Sequence, residues 1–216
     1  MGHWRVNFRP LSPVKEQLSL QQCFEAVRMN SVLIRGWDFP HISKRNDDEG
    51  GTLRGDTYYE GWCDWWAQHE FWRMYKSSQF IAYNALSEDS PDGDYKRKGT
   101  LSILSAIYSM IEFIEFAHRL QMSGLYGDGV SVKIELRNTA GRYLAVSPNR
   151  LPFYEKKDTH SPKIIIQREF DGHKLRNDHK NISVDCILEF FDHFGWNPPR
   201  DQIERDQARF YSRDFY

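Results

Sequence analysis

Alternating apolar and polar residues predict a β-strand near the start of the chain. Residues 4–8 (WRVNF) follow the period of two that is typical of a half-buried strand. Ser12 and Pro13 predict that a helix opens there, because proline fits the first helical turn. Residues 31–37 (SVLIRGW) predict a second strand, and the polar residues 38–56, centred on NDDEGG, predict a long surface loop.

The densest aromatic stretch, residues 57–86, predicts a three-stranded antiparallel meander. It holds four of the seven tryptophans, four tyrosines and two phenylalanines, and residues 67–68 and 77–78 are short enough for tight turns. Alternation divides the first strand between two faces, with Tyr58, Trp62 and Trp66 on one and Tyr59, Cys63 and Trp65 on the other. Because both faces carry large side chains, we expect both to be covered, by helices or by a partner.

The segment after the meander predicts a long helix followed by further strands. Residues 101–121 predict a buried helix, since their apolar positions cover most of the helix circumference. Residues 130–136 and 142–146 flank the turn sequence NTAGR and predict a hairpin. Residues 163–170, with their KIII core, predict one more strand.

Two further helices are predicted near the C-terminal end, an amphipathic one over residues 182–194 and a polar one over 200–209. The element order predicts the α+β class: a largely antiparallel sheet with an aromatic three-strand meander, packed by one long apolar helix and two or three further helices. We expect a single domain over residues 1–216, with residues 197–216 as a candidate C-terminal helical appendage.

Charge and cysteine content narrow the function classes. With 29 basic and 30 acidic residues, the chain has no global positive field to hold nucleic acid. Cys23, Cys63 and Cys186 lie far apart, which argues against a disulfide framework and against a zinc knuckle. Reduced, buried thiols and the lack of a signal-peptide pattern in MGHWRVNFRP predict a cytoplasmic protein. No membrane span is expected, because charges interrupt the apolar run at 101–120.

The sequence carries no complete catalytic signature, so we expect a protein without enzymatic activity and without a cofactor. Glu112, Glu115 and His118 have the spacing of half a di-iron motif, but the second half is missing. A solvated edge of the helix is the simpler interpretation of these three residues. A metal-dependent nuclease stays open as an alternative, although the strand KIELR carries Arg137 where such motifs use lysine.

Aromatic and basic residues suggest binding sites instead. Arg73 and Lys76 alternate with aromatic residues in the meander, a pattern found where bases stack, at protein interfaces, and in the core of a sheet. Two basic clusters, in the segments 95–98 and 173–180, have the charge to contact phosphates, although solvated loops carry such charge more often.

Three phrases of the sequence carry a family resemblance. They are RGWDFPHI at residues 35–42, HEFWRMYKSSQF at 69–80 and ILEFFDHFGWNPPRDQIERDQ at 187–207. Together they resemble a prokaryotic domain that follows Schlafen-type AlbA DNA-binding modules in some bacterial proteins. The resemblance runs from about residue 32 onward and includes neither a catalytic motif nor the AlbA module itself. It implies an accessory or sensing domain that works beside a separate effector, in a setting such as host defence.

The first functional hypothesis is therefore a non-enzymatic binding module of a bacterial multi-protein system. It would engage a protein partner, a second copy or a ligand through the aromatic sheet or its rim, with Trp37, Asp38, His41, Trp62, His69, Arg73 and Lys76 as candidate residues. The alternative is a nucleic-acid-binding protein or nuclease that uses Lys96, Arg97, Lys98, Lys174, Arg176 and Lys180. A third hypothesis is a metal-dependent enzyme built on Glu112, Glu115 and His118.

Overall fold

The fold is an α+β sandwich with one large antiparallel sheet, as predicted. A computed structural model of the chain describes residues 1–12, 14–90, 99–147 and 150–214. The strands of the large sheet are β1 (His3–Pro10), β2 (Gly50–Arg54), β3 (Tyr58–Trp65), β4 (Gln68–Tyr75), β5 (Phe80–Ala85), β7 (Gly129–Arg137) and β9 (Lys163–Asp171). They lie side by side in the order β2-β3-β4-β5-β1-β7-β9. Two short strands, β6 (Thr100–Ser102) and β8 (Tyr143–Ala145), form a separate parallel pair.

The aromatic meander forms as three antiparallel strands, β3, β4 and β5. Trp72 and Met74 point from β4 into the core, whereas Phe71 and Arg73 point to the opposite, outer face. The first turn is formed by Trp66 and Ala67, one residue earlier than expected, with Trp66 at φ 52°. Trp66 therefore lies in the turn and not on the face shared by Tyr58 and Trp62.

All four helices lie on the inner face of the sheet. They are α1 (Leu20–Asn30), α2 (Ile103–Met122), α3 (Gly172–Asp192) and α4 (Arg200–Ser212). The long apolar helix α2 is central, and its Phe116 packs against Phe8, Phe39 and Phe80 with ring centroids 4.8–6.3 Å apart. The C-terminal helix α4 packs against α2 and α3, and its Phe210 is fully buried in the same core.

The described helices cover only the inner face of the sheet, and cover of the outer face by a partner stays a prediction. No helix in the described part of the chain packs against the outer face, and its aromatic side chains are half-exposed. These side chains are Tyr58, Trp62, Phe71, Tyr75 and Tyr83. The helices follow one another across a single face because the inward residues of β1 and β7 are nearly all apolar, whereas the outward ones are largely polar.

Two N-terminal elements differ from the sequence predictions. Helix α1 begins at Leu20 and not at Ser12, because Ser19 and Gln22 form a capping box in which each side chain accepts a hydrogen bond from the other's backbone N–H. Residues 31–37 are not a strand: Val32 makes only one isolated bridge, to Phe39, and the chain turns at Gly36 with φ 90°. The stretch 38–56 is not entirely loop either, since its end forms the edge strand β2.

Three further predictions about the second half are corrected. Strands β7 and β8 do not form a hairpin; β7 pairs with β1 and β9, and β8 pairs with β6. The apolar side of β7 is buried when β7 lies within the large sheet, and this burial favours pairing with β1 and β9 over a hairpin with β8. Helix α3 begins at Gly172, well before residue 182, because the Asp171 side chain caps it by accepting from the Lys174 backbone N–H. The basic segment 173–180 is therefore helical.

Candidate functional site

Residues 35–41 form a loop that is anchored in the core. Phe39 is buried and packs edge-on against Phe113, with ring centroids 4.7 Å apart, and is followed by a cis peptide bond to Pro40. The Trp72 indole N–H donates to the His41 carbonyl oxygen at 2.7 Å. These contacts fix the second half of the loop against β4 and α2.

A cavity of about 270 Å³ lies beneath this loop, between the ends of β4 and β5 and the first turns of α2. The apolar part of its lining is formed by Trp4, Phe39, Leu86, Leu101, Ala106 and Phe113. The charged and polar part includes Arg35, Trp37, Glu70, Asn84, Glu88 and Glu112. Apolar walls with a few convergent polar groups are typical of small-molecule sites.

Glu70 is the central acidic group of the cavity. Its Oε1 accepts a hydrogen bond from the Trp37 indole N–H at 2.8 Å, and the Asn84 amide also bonds to its carboxylate. Burial raises the pKa of Glu70 to about 7, and the nearby Glu112 carboxylate acts in the same direction. Glu70 is half-buried, and it lines the cavity.

Asn84 leaves an acceptor unused beside Glu70. The two residues are directly opposite each other on β4 and β5. Asn84 Oδ1 is buried and has no hydrogen-bond partner within the described chain. Nearly all buried polar atoms in proteins are paired, so this oxygen is an exception that leaves an acceptor unsatisfied beside Glu70.

Glu112 and Arg35 form a two-pronged ion pair on the α2 side of the cavity. Arg35 Nε donates to Oε1 at 2.9 Å, and a terminal nitrogen donates to Oε2 at 2.6 Å and to Ser109 Oγ at 3.2 Å. Burial raises the pKa of Glu112, and Arg35 opposes this rise. The guanidinium is thereby engaged by groups of the protein itself.

Three predicted residues, Trp37, Asp38 and His41, meet at this loop. The His41 ring stacks on the Trp37 indole with centroids 3.9 Å apart, and His41 Nδ1 lies 2.5 Å from Asp38 Oδ1. Because the Trp37 indole also donates to Glu70, the Asp38–His41 pair supports the lining of the cavity through Trp37. The predicted residues at the rim therefore hold Trp37, and through it Glu70, in place.

The other four predicted residues lie elsewhere. Trp62 and Arg73 are on the open outer face, where Arg73 lies 3.8 Å from the centre of the Tyr58 ring. His69 is at one end of the meander and pairs with Asp64 at 2.5 Å. Lys76, at the opposite end, pairs with Glu16 at 3.0 Å. The structure does not bring these four residues to the cavity.

Sequence reasoning missed Arg35, Glu70 and Asn84 as site residues. Glu70 carries a readable signal, because an acidic residue that alternates in register with Trp72 and Met74 must point into the core. The pairing of Arg35 with Glu112 has no sequence signal, because the two residues are 77 positions apart along the chain.

The proposed metal triad is divided between two places. Glu112 faces the cavity, whereas Glu115 faces α3 and α4, where Arg119, His179 and Tyr211 contact it. Burial alone would raise the pKa of Glu115, but the hydrogen bonds from His179 and Arg119 outweigh it and lower this pKa to about 2. Within residues 1–12, 14–90, 99–147 and 150–214, no group of three His, Cys, Asp or Glu side chains is arranged to hold a metal ion.

The remaining candidates are peripheral or buried. Lys96, Arg97 and Lys98 lie outside the described residues, and Lys174, Arg176 and Lys180 are exposed on α3. The three cysteines are free and buried, and burial raises the pKa of Cys23 to about 11 and that of Cys186 to about 12. Thiols with such high pKa values stay protonated near neutral pH and are poor nucleophiles. In the part of the chain that is described, no helix is both long and apolar enough to cross a bilayer.

The chain was compared with protein-family models, with curated proteins and with solved structures. The resemblance to the domain that follows Schlafen-type AlbA modules stays a prediction, as does the host-defence setting that it implies. None of the three comparisons gives a match.

Proposed function

We propose that this protein is a non-enzymatic, cytoplasmic binding module whose site is the cavity beneath residues 35–41. The observation that carries the proposal is the convergence of Glu70, Asn84 and the Arg35–Glu112 pair on a preformed, partly apolar cavity. The site lies at the rim of the aromatic meander, where a binding role is expected from the sequence.

The unpaired Asn84 Oδ1 supports occupancy by a ligand. An unsatisfied buried polar atom destabilises a protein by about 1–3 kcal/mol, and a ligand donor would remove this penalty. The loop that covers the cavity is fixed by Phe39 and by the bond from Trp72 to His41. Such a preformed wall needs little ordering when a ligand binds, which favours affinity.

The geometry supports recognition more than catalysis. Arg35 and Glu112 satisfy one another through two parallel hydrogen bonds, so this pair stabilises the wall and is not free to act on a substrate. In the setting implied by the family resemblance, occupancy of the cavity would be reported to a separate effector, through a protein partner or a second copy.

A variant whose cavity is partly filled by a larger side chain tests this proposal. Ser105 lines the cavity from the first turn of α2, and Ser105→Phe would occupy part of its volume. We expect wild-type protein, dialysed against a small-molecule extract of its host, to enrich a compound that Ser105→Phe does not enrich. Ala208→Phe on the exposed side of α4 is the matched control and should behave as wild type. Enrichment by all three proteins, or by none, would refute the proposal.

A second candidate, binding of single-stranded nucleic acid, is favoured by the open outer face. Its half-exposed aromatic side chains can stack bases, as sheets of single-strand-binding proteins do. On this face, the strands beside them carry more cations than anions: Arg5, Arg9, Lys133, Arg137 and Lys163 against Glu135, Glu169 and Asp171. We expect such binding to weaken steeply with added salt and to fall on Trp62→Ala; salt-independent binding would exclude it.

A further inference from the structure

The charges that line the cavity are unbalanced. Glu70, Glu88 and Glu112 are acidic, whereas Arg35 is the cation among the lining residues that the structure describes. Arg35 is already engaged by Glu112 and Ser109. An anionic ligand would therefore meet an occupied guanidinium and two further carboxyl groups, so the lining disfavours negative charge.

We propose that the ligand is a small organic cation, an ammonium or amidinium group on a compact apolar body, with its charged end against Glu70 and Asn84. This inference rests on the proposed function, because it takes the same cavity as the binding site. A volume of about 270 Å³ is slightly below the range of roughly 300–1,000 Å³ that holds drug-sized ligands, which limits the body to about one ring or a short chain.

The acceptors at the charged end match the donors of such a cation. Glu70 has neutral donors as partners, Trp37 and Asn84, and an ionised carboxylate accepts further hydrogen bonds beyond these. Asn84 Oδ1, opposite it on the neighbouring strand, lacks a donor. An ammonium group has three donors, so it can bond to the Glu70 carboxylate and still supply a donor to a neighbouring acceptor.

The apolar part of the lining suits the apolar body. Trp4, Phe39, Leu101 and Phe113 are almost completely buried side chains that nevertheless line the cavity. Burying an apolar ligand surface against them contributes roughly 25 cal/mol for each Å² removed from water. The lining thus combines carboxyl groups with apolar side chains, as an amphipathic cation requires.

Binding of a cation should be coupled to a proton. The charged and titratable groups that act on Glu70 come from three directions: His41 from the loop, Cys63 from β3 and Glu112 from α2. Asp38 acts on Glu112, and the Asn84 amide from β5 is neutral. Because the pKa of Glu70 is about 7 in the free protein, its carboxyl is largely protonated below neutrality. Binding must then release this proton, so affinity should rise about tenfold per pH unit below pH 7 and level off above it.

Three probes of the same shape and different charge test the proposal. Phenethylamine, 2-phenylethanol and phenylacetate would each be titrated calorimetrically into the full-length protein at pH 8. We expect phenethylamine to bind at least tenfold more tightly than the alcohol and phenylacetate not to bind. Phenylacetate or the alcohol binding as tightly as the amine would overturn the inference, as would the absence of binding by phenethylamine, benzamidine and butylamine up to millimolar concentration.

Variants separate this inference from the proposed function. Glu70→Gln should weaken phenethylamine at least tenfold and abolish the pH dependence, whereas Glu189→Gln, a surface control beside Arg168, should change neither. If the acid or the alcohol binds and Ser105→Phe abolishes that binding, the cavity is a binding site and only the ligand class is wrong. If no probe binds and no compound is enriched from the extract, both proposals fail.

Discussion

Replacing Glu70 by glutamine should stabilise the protein at alkaline pH and have little effect at acidic pH. Burial raises the pKa of this carboxyl from 4.5 to about 7 in the folded state. The folded state therefore holds its proton over a pH range in which the unfolded state has lost it. The stability contributed by this group is complete below pH 4.5 and is lost as the pH rises through 7.

The size of the effect follows from the two pKa values. One pKa unit corresponds to about 1.4 kcal/mol, so the ionised form above pH 7 destabilises the fold by up to about 3 kcal/mol. At pH 5 the corresponding loss is below about 1 kcal/mol, because this pH is only slightly above the unfolded-state pKa of 4.5. Glutamine has a similar shape and no charge, so Glu70→Gln should be about 2–3 kcal/mol more favourable relative to wild type at pH 8 than at pH 5.

Urea unfolding, followed by tryptophan fluorescence at pH 5, 6, 7 and 8, measures this difference. Comparing variant with wild type at each pH cancels the titration of all other groups. The exposed pair Glu189–Arg168 provides the control, and Glu189→Gln should shift the free energy of unfolding equally at every pH. A difference for Glu70→Gln that does not grow with pH would show that its carboxyl is not the buried, proton-retaining group described above.

Three further substitutions test the meander and the second acidic cluster by urea unfolding. Gly61→Ala should destabilise by about 1–3 kcal/mol, because its Cβ would lie 2.6 Å from the buried Trp72 indole; unchanged stability would contradict this close packing. Trp66→Gly should stabilise by about 0.5–1 kcal/mol, since Trp66 is half-exposed at φ 52°; a loss would show that its side chain contributes packing. Glu115→Gln should destabilise by up to about 3 kcal/mol at pH 7, and the difference should vanish as the pH falls from 4.5 to 2, because Arg119 and its neighbours hold that carboxylate ionised.

The sheet and the central helix were predictable because their signals are local. Alternation over residues 58–65 and 68–75 and a continuous apolar surface over 103–122 are properties of neighbouring residues. The start of α1 was also encoded locally, by Ser19 and Gln22, but Ser12 and Pro13 offered a competing start signal. The pairing of β8 with β6 depends on how the whole chain folds, so the closeness of β7 and β8 in the sequence wrongly predicts a hairpin.

The site was harder to predict because its residues meet only after folding. Arg35 comes from a segment that has a strand-like pattern, and its partner Glu112 is on a helix whose spacing suggests a metal site. The sequence does predict Trp37 and His41 as candidates; Trp37 lines the cavity and donates to Glu70, whereas His41 stacks on Trp37. Neither the cavity nor the unpaired Asn84 Oδ1 has any sequence signal.

The central position of β1 has a consequence for the order of folding. Val6 pairs with Ala82 of β5 on one side and with Ile134 of β7 on the other. Strand β1 therefore joins two parts of the sheet that follow it at very different distances along the chain. During synthesis the β2–β5 half can form before β7 exists, but β1 then has one edge without a neighbour. Such long-range pairing slows folding and leaves a strand edge open to other chains until β7 arrives.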